Sequence, residues 1–296
     1  MNAPIAIFCY NRPVHLEHTL QSLLKCAEAK QNPVYFFCDG PKDYLDAKKT
    51  AAVNEVVHRY AHHFNSQIHL QKSNQGLATS IINGVTAVLS NHDNIIVLED
   101  DIEVSKDFLL FMNVALSEHQ NQPNVCSCSG YLMPIDTSNI QSSTLLLPRA
   151  SSWGWSTWKD RWLSVDWDEA VKDDFLVDKS LQQEFGKWGG EDLIPMMKKQ
   201  LIGKIDSWLV RWAYHHFKTR SYCLFPKESL AVNRGNDGTG THSPKSTIYQ
   251  PKKMGTIENS ELLQEPPTID EMTIKSLHRF LRPSVIRKVI NFFTLP

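Results

Sequence analysis

The sequence predicts an α/β protein: a mostly parallel central sheet flanked by helices. Three observations lead there. The first 120 residues alternate four short, almost wholly apolar runs with four stretches whose apolar residues recur at helical spacing. Strands that are apolar throughout are buried on both faces, as in a parallel sheet between helical layers. The chain's 296 residues are 42% hydrophobic and 21% charged, which suffices for a sizeable core and excludes wholesale disorder.

Residues 4–9 (PIAIFC) read as the first strand, and 13–26 as a helix carrying Val14, Leu16, Leu20, Leu23 and Leu24. Residues 34–38 (VYFFC) form the second strand, with a helix over 47–63. The third pair is 67–70 (QIHL) and 76–90, where Leu77, Ile81, Val85, Val88 and Leu89 share a face. The fourth strand is 95–98 (IIVL); Ser105 then caps a helix bearing Phe108, Leu109, Met112 and Leu116. Beyond residue 120 the texture changes. A strand over 125–128 precedes a polar loop over 132–144 and a Trp-dense stretch over 153–162. Helices over 191–202 and 206–218 are separated by Gly203, and 222–226 is a late strand. Residues 233–247 form a loop rich in Gly, Asn, Ser and Thr, and 255–272 an acidic, Pro-containing surface linker. The division expected is 1–120 and 121–254 as two halves of one domain, then 255–296 as linker and basic amphipathic helix.

Several function classes are excluded early. Lys plus Arg total 31 against 32 Asp plus Glu, too balanced for a protein that coats nucleic acid. No apolar run approaches the ~20 residues that span a bilayer, and the first residues read as a strand rather than a signal peptide. The six Cys form no CxxC pair or zinc spacing, which points to buried free thiols in a reducing cytoplasm. No Walker A sequence, no GxGxxG after the first strand and no GxSxG elbow occur, which removes the main support for P-loop, dinucleotide and α/β-hydrolase readings.

Ligands of open α/β sheets bind beyond the carboxyl ends of the strands. Each of the four strands is followed there by polar groups: Tyr10-Asn11-Arg12, Asp39-Gly40, Lys72-Ser73-Asn74 and Glu99-Asp100-Asp101. The last is the sharpest. Three carboxylates at the mouth of a buried strand repel one another unless a cation or hydrogen bonds offset them. Oxygen donors of this kind suit Mg²⁺ or Mn²⁺, with substrate phosphates completing the shell. Trp153-Gly-Trp155 is too irregular for a helix face, and Trp155 is expected to stack on a sugar ring. Asp206, Glu191 and Asp192 each stand at a helix start, where the macrodipole alone favours a carboxylate.

The segments IAIFCYNRPVHLEHTLQSLL, NQGLATSIINGV and IIVLEDDIEVSKDFLLFM resemble the opening strand, second nucleotide-contacting helix and metal motif of GT-A glycosyltransferases. The likeness is nearest to N-acetylglucosaminyltransferase I, and SWGWSTWKDRW and GKIDSWLVRWAYHHF are similar to bacterial surface-polysaccharide sugar transferases. The resemblance implies a metal-dependent transferase with a UDP-sugar donor, UDP-N-acetylglucosamine before UDP-galactose or UDP-glucose, and a glycan or lipid-linked acceptor. In that pattern residues 1–120 bind the nucleotide sugar and 121–254 carry the acceptor and the catalytic side. Asn11, Arg12 and Asp39 would contact base and ribose, with Asn74 and Gly76 near the nucleotide and donor sugar. Asp101 would ligate the metal, Glu99 and Asp100 would face ribose and sugar, and His242 would approach metal or diphosphate. Asp206 would be the catalytic base, with Glu191 and Asp192 as alternatives. A sugar-nucleotidyltransferase and a non-catalytic carbohydrate-binding protein are the rival readings.

From Thr273 onward the chain carries Lys275, Arg279, Arg282, Arg287 and Lys288 with no acidic residue, and apolar residues at helical spacing. That pattern suits a helix lying on an anionic membrane surface, at the inner face of the cell membrane, or a basic helix docked on the domain itself.

Overall fold

Four strand–helix units open the computed structural model: β1 (Ile5–Cys9), α1 (Pro13–Leu23), β2 (Pro33–Cys38), α2 (Tyr44–Ala61), β3 (Asn65–Leu70), α3 (Leu77–Leu89) and β4 (Asn94–Glu99), then a short β5 (Ile102–Val104) and α4 (Phe108–Glu118). There follow β6 (Val125–Ser129), β7 (Thr144–Leu147), β8 (Trp155–Trp158), α5 (Lys159–Leu163), α6 (Glu169–Lys172), α7 (Lys179–Gly189), α8 (Leu193–Leu201), α9 (Trp208–Lys218), β9 (Tyr222–Pro226), β10 (Ala231–Asn233) and α10 (Glu271–Leu281). The structure describes residues 2–238, 247–251, 253–257, 266–284, 291 and 294–295.

One eight-stranded sheet runs in the order β3-β2-β1-β4-β8-β6-β9-β7. Strands β1 to β4, β6 and β9 point the same way, while β7 and β8 run against them. Burial explains the order. Every residue of β1 and the central four of β4 are buried, so these strands occupy the middle, while β3 is largely exposed at the edge. The Trp-dense segment turns out to be strand β8, seated between β4 and β6. Trp155 and Trp158 stand three apart, an odd spacing that sends them to opposite faces of a pleated strand, and each lies in a different core layer.

Two local expectations are revised, and over its described part the basic tail follows the second of its two readings. Ser105 does not cap α4, which opens behind Asp107; the Ser105 N–H instead donates to Leu230 O at 2.8 Å, held there by the antiparallel β5–β10 ribbon. Residues 255–272 are more than a linker, since Thr268 bridges Leu145 beside edge strand β7 and accepts the Leu146 N–H at 2.8 Å. The membrane-surface helix is replaced, as far as it is described, by α10 docked on the domain. Thr273, Leu277 and Leu281 are buried, the latter two in a cluster with Leu145, Leu147, Cys223 and Phe225, which leaves that apolar face closed to a bilayer. Lys275, Arg279 and Arg282 point outward. Residues 285–290 and 292–293 lie outside the described residues. No described helix is long and apolar enough to cross a membrane. All six cysteines are buried and free, as their spacing predicted.

Helix directions matter for the site. The first residue of β9 pairs with the amino end of β6, so α9 descends toward the amino edge of the sheet and its own start faces the carboxyl edge. Ser207 caps that start by accepting the Val210 N–H, and Asp206 stands one residue before the cap.

Candidate active site

The carboxyl ends of β1, β2 and β4 open into a cleft of about 140 Å³ lined by Tyr10, Asn11, Arg12, Asp39, Lys42, Asn74, Gly76, Leu77, Ser80, Glu99 and Asp100, with Phe8, Cys9 and Phe37 as its apolar floor. Three loops that are far apart in sequence meet here because parallel neighbours β2, β1 and β4 end together.

Arg12 organises the acidic motif. Its guanidinium donates to Asp100 Oδ1 at 2.5 Å and Asp101 Oδ2 at 2.8 Å, and both carboxylates are buried. Asp100 Oδ2 also accepts the Tyr10 N–H at 3.2 Å. One cation facing three carboxylates leaves negative charge in excess. Burial, then repulsion from Asp101 and Asp100, drives the Glu99 pKa up. Burial also raises that of Asp100, against the pull of Arg12.

Asp39 differs from its expected role. Its Oδ1 accepts the N–H groups of Gly40 and Gln75 at 2.9 and 2.8 Å, and its Oδ2 accepts Asn74 Nδ2 at 2.9 Å and the Gly76 N–H at 3.2 Å. Four donors fill a carboxylate's acceptor sites, so Asp39 shapes the 74–76 turn and leaves little capacity for base or ribose. Gly76 ends that turn at φ +83°, in the left-handed region that favours glycine. Asn11 donates to Asp46 Oδ1 at 2.8 Å, and Tyr10 Oη donates to the other oxygen of the same carboxylate. Lys42 lines the cleft with its ammonium 5.5 Å from the Tyr10 ring centroid. Lys42 and Asp46 were not among the expected site residues; Lys42 follows β2 by four residues, as Asn74 follows β3, whereas Asp46 lies eight residues on, in the first turn of α2.

Asp206 comes to the same place from the other half of the chain. A Cβ added at Gly76 would lie 3.7 Å from Asp206 Oδ2, so this carboxylate overlooks the cleft rim. Its side chain is 60% exposed, and its one described ion pair is Arg211 Nη2 at 3.5 Å. Glu191 and Asp192 are elsewhere. Trp188, just before them, rests on Tyr222 at the amino end of β9, ring centroids 5.3 Å apart. Helix α8 then climbs toward the carboxyl edge, where Gln200 Oε1 accepts the Ser207 N–H at 2.6 Å. At ~1.5 Å per residue the start of α8 is on the order of 12 Å from that contact. Asp192 is held by Arg149 through a two-pronged ion pair at 2.9 and 2.8 Å. As base candidates both carboxylates are corrected: they stand at the wrong end of the helix.

Trp155 is corrected as well. It is fully buried, stacked on Trp208 with centroids 4.9 Å apart and packed near Trp162 and Trp212, and no face is open to a sugar. His242 lies outside the described residues. The loop that leads to it starts against the acidic motif, since Arg234 N–H donates to Asp101 O at 2.8 Å and a Cβ at Gly235 would come within 2.1 Å of Asp101 Oδ2. Any larger residue would push on the ends of the Asp101 and Arg12 side chains.

A divalent cation can be tested against these donors. Asp101 Oδ1 is buried with no hydrogen-bond partner among the described residues, and the motif carries surplus negative charge. No group of three or more His, Cys, Asp or Glu able to hold a metal occurs among the described residues. Among the described residues there is thus no all-protein metal cage, and the motif offers a cation one buried carboxylate oxygen, Asp101 Oδ1.

No protein-family model and no curated protein matches the chain. Solved structures give partial similarity. S. aureus TarS 1–349 in complex with UDP-GlcNAc is 14% identical over 60% of this chain and 48% of that one, at a TM-score of 0.38. S. aureus TarS is 13% identical over 76% and 36%, at 0.40. GalNAc-T7 with UDP, GalNAc and Mn²⁺ is 10% identical over 78% and 43%, at 0.44. The match spans less than half the length of each. At this level of similarity, this chain's own residues must carry the function.

Proposed function

We propose that the protein is a glycosyltransferase that moves a sugar from a UDP-sugar, UDP-N-acetylglucosamine in the first instance, to a glycan or lipid-linked acceptor in bacterial surface-polysaccharide synthesis. The observation that carries this reading is the meeting of Asp206 with the rim of the acidic cleft at Gly76. An exposed carboxylate at the rim of a polar cleft is what a single inverting displacement needs. Asn11, Lys42 and Asn74 line the side of the cleft assigned to the nucleotide, and Arg12 orients the acidic motif from below. Asp206 takes the proton of the acceptor hydroxyl, which attacks the anomeric carbon opposite the diphosphate. Arg211 pairs with Asp206 at 3.5 Å and holds it at the rim. A Mn²⁺ or Mg²⁺ ion held at Asp101 would neutralise charge on the departing UDP.

The test is calorimetry of UDP binding with Mn²⁺ and with EDTA, in the wild type and in Asp101→Ala. UDP should bind at least tenfold more tightly with Mn²⁺, and Asp101→Ala should remove that difference while circular dichroism stays unchanged. Equal UDP binding in Mn²⁺ and EDTA would remove the metal from the mechanism, and no UDP binding in either would remove the transferase.

A further inference from the structure

Beside the cleft, the corner where α1, α2 and β3 meet carries apolar side chains that nothing in the fold covers. Helices α1 and α2 lie in one layer, their inner faces joined through Leu16, Leu20, Val53 and Val57. Both begin at the carboxyl edge, because parallel neighbours β1 and β2 end there. In the first turn of α2, Tyr44 is 91% and Leu45 84% exposed, and Val14 is exposed in the first turn of α1. Leu70 joins them. It ends β3 two residues after Ile68, which packs on the α1–α2 layer, so strand alternation turns Leu70 to that side as well. The loops after β2 and β3 are locked together here: the Asn74 N–H donates to Pro41 O at 3.3 Å, and a Cβ at Gly40 would strike the Ser73 backbone.

The charge presented at this corner is positive. Lys42, Lys48, Lys49 and Lys72 are exposed, and the last three form no ion pair among the described residues. Lys48 and Lys49 follow Tyr44 and Leu45 by four residues each, which sets them on the same helix face one turn down. The neighbouring acids are engaged with the chain itself. Asp43 caps α2 by accepting the Asp46 N–H at 2.9 Å, and Asp46 is taken by Asn11 and Tyr10. Glu55, the next acid on that face, stands roughly 10 Å further down the helix.

We propose that this corner is a membrane-docking surface, with Tyr44 and Leu45 in the interface of an anionic phospholipid bilayer and the lysines on its phosphates. Aromatic and aliphatic side chains that need cover, ringed by lysines that need anions, match a headgroup layer in both respects. The apolar face of α10, by contrast, is closed by the domain. Lys42 belongs both to the corner and to the lining of the cleft, so docking holds the cleft mouth near the headgroups. The docking surface stands apart from the transferase reading; what it adds to that reading, and rests on it for, is a lipid-linked acceptor.

The experiment is co-sedimentation of the full chain with vesicles of phosphatidylcholine alone and of phosphatidylcholine with an equal share of phosphatidylglycerol. Two double variants probe the corner, Tyr44→Ser with Leu45→Ser and Lys48→Glu with Lys49→Glu, and a third, Lys275→Glu with Arg279→Glu, probes α10. All six side chains are exposed, so circular dichroism should not change. The wild type should bind the anionic vesicles at least tenfold more strongly than the neutral ones, and less as salt rises. Each corner variant should lose about tenfold or more, while the α10 variant matches the wild type and UDP affinity stays within twofold throughout. Equal binding to both vesicles, no binding to either, or binding that follows α10 and ignores the corner overturns the proposal. So does sedimentation velocity in which Tyr44→Ser with Leu45→Ser splits a dimer without lipid, since a second copy then covers the corner. Anionic-vesicle binding that is lost in the corner variants of a protein that binds no UDP upholds the docking surface and removes only the lipid-linked acceptor, along with the transferase reading.

Discussion

The carboxyl edge of the sheet and the tryptophan layer under α9 are both dense in residue types that sugar and nucleotide sites employ, yet they do opposite work. At the edge, Asp100 and Asp101 are buried against Arg12, and Asp100 and Arg12 still line an open cleft. In the layer, Trp155, Trp162, Trp208 and Trp212 bury one another almost completely. The difference lies in what each group can satisfy internally. Indole rings find apolar partners and close up, whereas three neighbouring carboxylates with one guanidinium cannot neutralise themselves. Residue type marks a region as interesting in both cases. An unbalanced charge marks it as a site.

That contrast can be broken at several points. The largest effect is expected at Asp206, where Asp206→Asn should lower kcat by on the order of 10²–10⁴ with donor affinity unchanged, checked by steady-state transfer and UDP calorimetry. In the aromatic layer, Trp155→Ala should cost about 3–5 kcal/mol of stability by urea denaturation without a selective loss of sugar binding. Full stability with lost transfer would return Trp155 to the list of ligand contacts. The same layer should make stability depend on pH. Burial pulls the His215 pKa from its ordinary 6.5 to about 4, and His216 is lowered in the same way. Below 6.5 the unfolded chain takes up a proton that the folded chain refuses, so stability is fully present above 6.5 and falls as the pH drops toward 4. The His215 contribution lost across that window is roughly 3 kcal/mol, and denaturation curves for His215→Gln should be correspondingly flatter between pH 4.5 and 7. The smallest effect concerns the rejected base. Asp192→Asn should leave kcat near wild type and cost roughly 1–3 kcal/mol of stability, because it strips a partner from the buried Arg149. Lost activity with unchanged stability would reverse the choice between the two carboxylates.

The order of strands and helices through residue 120 was legible because each element is set by its own pattern: continuous apolar runs for β1 and β4, helical spacing for α1 and α3. So was the gathering of Asn11, Arg12, Asn74, Glu99 and Asp100, since parallel neighbours must release their following loops at one edge. Asp206 and Asp192 look alike locally, each an acid just before a helix; only the direction in which α8 climbs sets one at Gly76 and the other at Arg149. Likewise the spacing of Trp155, or of Leu277 in α10, says that a face is apolar but not what covers it. Local geometry is decided within a turn of chain, and the sequence by itself determined that much. Burial and proximity are decided by surfaces from residues a hundred positions away, and those only the tertiary structure could supply.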